Sequence, residues 1–324
     1  MRKRYLIMGA ALAVVATKLL MRPRDVDWET NRAKIFHADY SRFAGVDGVR
    51  VHYQEAGDPH DPPLLLIHGF ASSTLVWSKV LLELAAKGHR VIAPDLVGFG
   101  YSGKPRESDY TIPSQARMLV GLLNQLSIDR AVIVGSSYGA AVAATIALDY
   151  PSRVSKLVLI GAVSNNQPTK YMVMRLFRSP IVGDLVSPLL LGSRRLLRRR
   201  MKRVYDRHSW VLDERRVDAR HLPLQAARTH RAIVRTVRRW DADRIRREAH
   251  LINHPTLILW GDKDRDVPLQ DGELLQQKIP EARLIVFRDC GHLPHEEYPL
   301  EFTEVVADFY SEVLEDQARS RAAG

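Results

Sequence analysis

The pentapeptide Gly135-Ser136-Ser137-Tyr138-Gly139 lies between an apolar run, Ala131 to Val134, and a stretch of small residues that begins at Gly139. In this G-x-S-x-G arrangement Ser137 falls on a tight strand-to-helix turn, where the two glycines let the backbone bend and its neighbours approach. The pattern alone is weak, because three fixed residues in five recur by chance and a serine before a helix commonly serves only as its N-cap. A serine hydroxyl is also a poor nucleophile at neutral pH. It needs a base, and the base needs an acid that fixes its tautomer and stabilises the imidazolium. Two later segments contain both. Trp260 to Pro268, with Asp262, Asp264 and Asp266, follows one apolar run, and Asp289-Cys290-Gly291-His292 follows the next. Serine, then aspartate, then histidine, each just after a run that reads as a strand, is an order that fits a sheet built from these strands.

The elements that must position these residues alternate along the chain. Val49 to Glu55 has the alternation of a half-exposed strand, and Leu64 to Ile67 is a short apolar run that suits a strand buried on both faces. Apolar residues from Leu75 to Ala85 recur at helical spacing and stop at Gly88; Arg90 to Pro94 reads as the next strand. The rhythm continues with a helix from Ser114 to Leu126, a strand over Ala131 to Val134, a helix from Gly139 to Tyr150 and a strand over Val154 to Ile160. It returns after a basic block with strand Thr256 to Trp260, helix Leu269 to Ile279, strand Arg283 to Phe287 and helix Leu300 to Leu314. Such alternation predicts an α/β fold: a parallel sheet covered on both faces, with functional groups at the carboxyl ends of its strands.

On these residues the chain resembles the α/β-hydrolase fold superfamily from about Phe43 to Glu315, the basic block excepted. The matching motifs are His68-Gly69-Phe70, Asp95-Leu96-Val97-Gly98-Phe99-Gly100-Tyr101-Ser102, the Ser137 elbow, Trp260 to Pro268, and Gly291-His292-Leu293-Pro294-His295-Glu296. The resemblance implies a mostly parallel, eight-stranded sheet with a helical cap inserted after the sixth strand. It also implies Ser137 as nucleophile, Asp264 as acid and His292 as base, with the backbone N–H groups of Phe70 and Tyr138 as the oxyanion hole. Two such donors must lie about 3 Å from the developing alkoxide, and losing one typically costs about 3 to 4 kcal/mol of barrier.

Each assignment has a rival. Ser136 occupies the variable position of the elbow, Asp262 and Asp266 flank Asp264, and His295, three residues past His292, is expected to cap or pack locally. His68 is read as structural, Gly98 to Gly103 as a turn, and Cys290 as a small buried hydrophobe. A serine at the elbow argues against dehalogenases and epoxide hydrolases, which need a carboxylate there. Esterases, lipases, thioesterases, carbon–carbon bond hydrolases of ring-cleavage products and perhydrolases all use serine, and motif alone does not separate them. The leading expectation is a hydrolase of esters with lipophilic acyl groups; a carbon–carbon bond hydrolase is the alternative, with a perhydrolase or a silent binding module behind it. The chemistry requires no metal, nucleotide or flavin, and no cofactor motif is present.

Composition limits the remaining possibilities. The 324 residues are 46% apolar and include one cysteine, Cys290, so the chain can bury a large core and cannot close a disulfide within itself. The net charge of +11 is unevenly placed: Met1 to Arg24 carries +6, Asp25 to Thr169 carries −1, Lys170 to His250 carries +14 and Leu251 to Gly324 carries −8. Residues 1–24 combine basic ends with an apolar run, Tyr5 to Ala16, and are expected to be a membrane anchor, a cleaved export signal or a peripheral helix. Residues 25–162 and 251–324 are expected to form the catalytic core and 163–250 an arginine-rich helical cap. Within the cap, Leu197, Met201, Val204 and Tyr205 share one helical face amid Arg194, Arg195, Arg198, Arg199, Lys202 and Arg203; Ile233, Val234, Val237 and Trp240 repeat the arrangement. Either the arginines are a solvated exterior or they meet anionic lipid headgroups. No nucleic-acid partner is expected, since no recognition motif accompanies the charge.

Overall fold

The central strands are short runs of Val, Leu and Ile whose alternate side chains serve opposite faces of one sheet. Leu65, Ile67, Ile133, Leu157, Leu159 and Ile258 enter the core on one face, while Leu64, Leu66, Val132, Val134, Val158, Ile160, Leu257 and Leu259 enter the core on the other. Burial on both faces explains why these strands read as continuous apolar runs. A computed structural model describes residues 26–167, 172–205, 208–226 and 228–322.

Eight strands form the sheet: β1 (Ser41–Val46), β2 (Val49–Ala56), β3 (Pro63–Ile67), β4 (Arg90–Pro94), β5 (Ala131–Ser136), β6 (Val154–Ile160), β7 (Thr256–Gly261) and β8 (Ala282–Phe287), in the order β1-β2-β4-β3-β5-β6-β7-β8. Pairing is parallel from β4 to β8 and antiparallel on both sides of β2. This is the mostly parallel, eight-stranded sheet that the resemblance implies. The strand order reverses around β3, β4 and β5, so the loops after β3 and β5 open at the carboxyl ends of neighbouring strands.

Helix α1 (Trp28–Asn31) precedes the sheet; α2 (Leu81–Ala86), α3 (Ile112–Gln125) and α4 (Tyr138–Asp149) lie within its first half. Between β6 and β7 run α5 (Met172–Arg178), α6 (Pro180–Leu191), α7 (Arg194–Val204), α8 (Glu214–His221), α9 (Thr229–Arg238) and α10 (Asp243–Glu248). Then come α11 (Leu269–Lys278), the short α12 (Pro294–Glu297) and α13 (Pro299–Ala322). Helix α4 is buried from Tyr138 to Ala147, and its alanines let it lie close against the sheet.

Two expectations need correction. Leu75 to Ala85 is not one helix: a 3-10 turn, Thr74–Trp77, is followed by the separate α2. The Thr74 amide donates to the buried Asp95 carboxylate at 2.7 Å and Ser73 caps the turn, so the first four residues are drawn inward and all four are buried. Strand β1 precedes the first strand that the alternation predicts; it is an edge strand, exposed at Arg42 and Gly45 and fully buried only at Val46, so it carries no continuous apolar run. The predicted anchor or signal, residues 1–24, lies outside the described residues. Among those described, no helix is long and apolar enough to cross a membrane.

Candidate active site

Ser137 follows β5 directly and holds φ 57° and ψ −116°, a backbone conformation that few residues with a Cβ adopt. The surrounding backbone leaves little alternative. A methyl group on Gly135 would meet Gly139 O at 2.3 Å, and one on Gly139 would meet Ile67 O at 2.3 Å, so both motif glycines are required by close packing. The Ser137 amide donates to Ile160 O at 2.7 Å, fixing the turn to the end of β6.

The loop after β3 reaches the same place. A methyl on Gly69 would come within 3.2 Å of Ser137 Cβ and 3.8 Å of its Oγ. His68 is structural, as expected: its Nδ1–H donates to Gly69 O at 2.8 Å and its Nε2 accepts from the Leu96 amide at 3.0 Å. Burial holds this imidazole below its usual pKa, in keeping with a neutral ring that donates at one nitrogen and accepts at the other. Asp95 anchors the next loop from beneath: one oxygen accepts from Thr74 and the other from the His52 ring at 2.7 Å and the Tyr101 amide at 2.8 Å. Burial pushes its pKa up, but the His52 ring, together with His68 and the Tyr101 amide, outweighs that and holds the carboxyl low. Neither the Phe70 nor the Tyr138 amide donates to a backbone acceptor among the described loop and turn hydrogen bonds.

Asp264 and His292 converge from the ends of β7 and β8. His292 Nδ1–H donates to Asp264 Oδ2 at 2.6 Å, and both side chains are buried. The other carboxylate oxygen, Oδ1, accepts from the amides of Asp266 at 2.8 Å and Val267 at 2.9 Å, which orients Asp264 and not its neighbours. Asp262 turns elsewhere, toward the Cys290 amide and Lys263. Burial alone would lower the His292 pKa; the Asp264 carboxylate reverses this and raises it to about 9.

Gly161 links this pair to the serine, and nothing in the motif reading singled it out. It follows Ile160, the acceptor of the Ser137 amide, and has φ 50°. A methyl there would lie 3.0 Å from His292 Nδ1 and Cε1 and 3.4 Å from Asp264 Oδ2. A glycine straight after an apolar strand, facing the elbow strand, is the sequence signal that could have found it.

The His292 loop is held by the helical insertion. The His292 amide donates to Val204 O at 2.9 Å. Four residues on, the buried Glu296 carboxylate accepts from Arg216 at 3.0 Å, from Arg220 at 2.6 Å and from the Tyr205 hydroxyl. These two arginines correct the picture of a wholly solvated basic block. Glu297 accepts from the amides of Gly291 and Leu293 and from His208. Cys290 is buried, as expected, and burial together with nearby Glu297 pushes its thiol pKa up. His295 packs locally, stacked on Trp77 with ring centroids 4.4 Å apart.

Aromatic rings stand beside the elbow. Trp240, just past α9, lies 5.0 Å from Tyr138 and 5.5 Å from Phe70, centroid to centroid, and Phe99 lies 6.1 Å from Phe70. None of these four residues carries a charge. A separate cleft of about 770 Å³, bordered by Arg175, Arg178 and Arg246, contains no triad residue. Among the described residues no group of three His, Cys, Asp or Glu side chains is placed to hold a metal ion.

The family profile described as alpha/beta hydrolase fold matches residues 62–299. The chain is 32% identical over 268 residues to the uncharacterized hydrolase YugF of Bacillus subtilis (strain 168), covering 82% of this chain and 95% of that one. It is 30% identical over 273 residues to a 2-hydroxymuconate semialdehyde hydrolase of Pseudomonas sp. (strain CF600), covering 82% and 92%. The crystal structure of a membrane phospholipase A, described as a bacterial virulence factor, superimposes with a TM-score of 0.72 at 25% identity, covering 97% of this chain and 99% of that one. Sheet order, elbow and sequence likeness agree, and the chain belongs to the alpha/beta hydrolase fold family.

Proposed function

We propose that the protein is a serine hydrolase that cleaves carboxylic esters of lipophilic acyl groups. The observation that carries this reading is the buried His292–Asp264 pair packed against Gly161, next to the strained elbow at Ser137. His292 takes the Ser137 proton as Oγ attacks the ester carbonyl, and the amides of Phe70 and Tyr138 receive the resulting oxyanion. The tetrahedral intermediate collapses with the proton passing from His292 to the departing alcohol. Water, deprotonated by His292, then releases the acid and regenerates Ser137. Asp264 stays ionised throughout and stabilises the imidazolium.

The uncharged rings of Phe70, Phe99, Tyr138 and Trp240 support an apolar acyl group. Arg216 and Arg220, the buried cations of the insertion, are already committed to Glu296. The membrane phospholipase A that shares nearly the whole length of the chain supports a lipid ester in particular. Membrane association through residues 1–24 belongs to the same proposal and rests on their sequence alone.

A carbon–carbon bond hydrolase is the second reading, favoured by the semialdehyde hydrolase relative. Comparison of kcat/KM for p-nitrophenyl esters of increasing chain length with that for a ring-cleavage dienoate separates the two. The ester reading expects turnover that rises with acyl length. A dienoate preferred by roughly a thousandfold over every ester, more than the roughly 10- to 200-fold that one pocket methylene discriminates, would replace it with the second reading.

A further inference from the structure

Helices of a water-soluble domain bury their apolar stripe and turn polar residues outward. Helices α5 and α6 bury one apolar stripe and leave further apolar side chains outside. On α5, Met174 and Phe177 face inward, yet Met172 is 76% exposed and Val173 and Leu176 are exposed beside it. On α6, Gly183 and Ser187 are buried and Val186, Leu190 and Leu191 pack partly against the core, while Ile181 is 73% exposed, Leu189 47%, and Val182 is exposed on the same arc. Two consecutive helices thus present several large apolar side chains to solvent in addition to those they bury. A contiguous apolar face of this kind marks a docking surface.

Charge identifies what docks. From Met172 to Val204 the chain carries nine basic residues and one acid, Asp184, which pairs with Arg238 at 3.2 Å. Helix α7 follows α6 after two residues and buries Met201 and Val204. Its outward face carries Arg195, Arg199, Lys202 and Arg203, none of which forms an ion pair with another described residue. Apolar side chains beside unpaired guanidinium groups match the acyl boundary and phosphate layer of an anionic bilayer, and a protein partner would need a matching acidic rim.

The segment before the sheet reaches α8, which is paired to α7. Arg194 and Arg198 of α7 pair with Glu214 of α8, and Phe36 packs beneath Arg215 and Arg216 of α8. Helix α9, on which α5 and α6 pack, leads to Trp240 at the elbow.

We propose that the exposed apolar faces of α5 and α6, flanked by the basic face of α7, dock onto an anionic lipid bilayer. The inference stands whichever bond Ser137 cleaves. It also concerns a surface distinct from residues 1–24, so the test must report on the helices themselves in the full chain.

An environment-sensitive fluorophore is attached to Ile181→Cys and, separately, to Leu189→Cys, with Asp61→Cys as a probe on the core; hydrolysis of a soluble ester verifies each fold. With phosphatidylglycerol vesicles, the probes at 181 and 189 shift to the blue and are quenched by nitroxide lipids, and the probe at 61 is unchanged. Replacing Arg195, Arg199 and Arg203 by Gln weakens the shift at 181, by roughly fivefold in vesicle concentration for each cation removed. Unchanged spectra at 181 and 189 while the protein is vesicle-bound would show attachment through another segment alone and overturn the proposal. Equal shifts in phosphatidylcholine overturn the role of the arginines. Burial without vesicles overturns it in favour of a second copy of the chain if it depends on protein concentration, and of residues 1–24 if it does not.

Discussion

Replacing Asp264 by Asn removes the charge that raises the His292 pKa and leaves the shape of the site intact. A rise from 6.5 to about 9 corresponds to about 3 kcal/mol of preference for the imidazolium, at 1.36 kcal/mol per pH unit. Both side chains are buried, so little of this is lost to solvent screening. The imidazolium is the form that the transition state creates, so losing its stabilisation lowers kcat by about two orders of magnitude. The Asn amide can also donate to Nδ1, which moves the ring proton to Nε2 and removes the acceptor that Ser137 needs. Together the two effects give a loss of roughly 10³ to 10⁴. The pH dependence has a definite sign. His292 acts as a base only when neutral, so kcat/KM falls as pH drops through its pKa. In the wild type the carboxylate places that fall above pH 6.5; in Asp264→Asn burial and Arg200 act against Asp266 alone, and the fall moves to lower pH. The assay is kcat/KM for a p-nitrophenyl ester from pH 5 to 10, with Asp262→Asn and Asp266→Asn alongside. An Asp264→Asn enzyme within roughly tenfold of wild type with an unmoved acid limb, or a collapse in either neighbour variant instead, would refute the assignment.

Three further outcomes are expected. Gly161→Ala places a methyl 3.0 Å from the His292 ring and a Cβ at φ 50°, so kcat falls at least tenfold while urea unfolding shifts by about 1 to 2 kcal/mol, the usual cost of that backbone region. Glu296→Gln leaves Arg216 and Arg220 buried without a counter-charge and destabilises by roughly 3 to 5 kcal/mol, whereas Glu296→Leu with Arg216→Met and Arg220→Met recovers most of the loss, both read by denaturant midpoints. His295 is buried with neither ring nitrogen hydrogen-bonded to a described residue, and burial lowers its pKa to about 3. The unfolded chain protonates this histidine below pH 6.5 and the folded chain only below about 3, so stability is lost as pH falls through that window. The loss reaches about 2 kcal/mol at pH 5 and is absent from His295→Phe, whose ring still stacks on Trp77.

The strands were legible because a sheet buried on both faces demands uninterrupted Val, Leu and Ile, as in Leu64 to Ile67 and Val154 to Ile160. Strand β1 was not, since an edge strand needs no such pattern. The Ser137, Asp264 and His292 positions were legible because each stands just past a strand, and the amides of Asp266 and Val267 explain why Asp264 and not a neighbouring aspartate faces His292. Gly161 escaped notice because its importance lies in a side chain it lacks. Arg216, Arg220 and Glu296 escaped because their pairing spans 76 or more residues and a buried guanidinium looks, in sequence, like any surface arginine. The outward apolar face of α6 was equally silent: periodicity reports which residues share a face, and only the packing of Gly183 and Ser187 shows which face is inside.

The account rests on Ser137 acting as a nucleophile through His292. A fluorophosphonate probe, followed by peptide mass spectrometry, tests this directly. It predicts one adduct on Ser137, formed much more slowly in His292→Ala and absent in Ser137→Ala. A folded wild-type protein that takes no label, or an adduct on Ser136 that persists without Ser137, would contradict it.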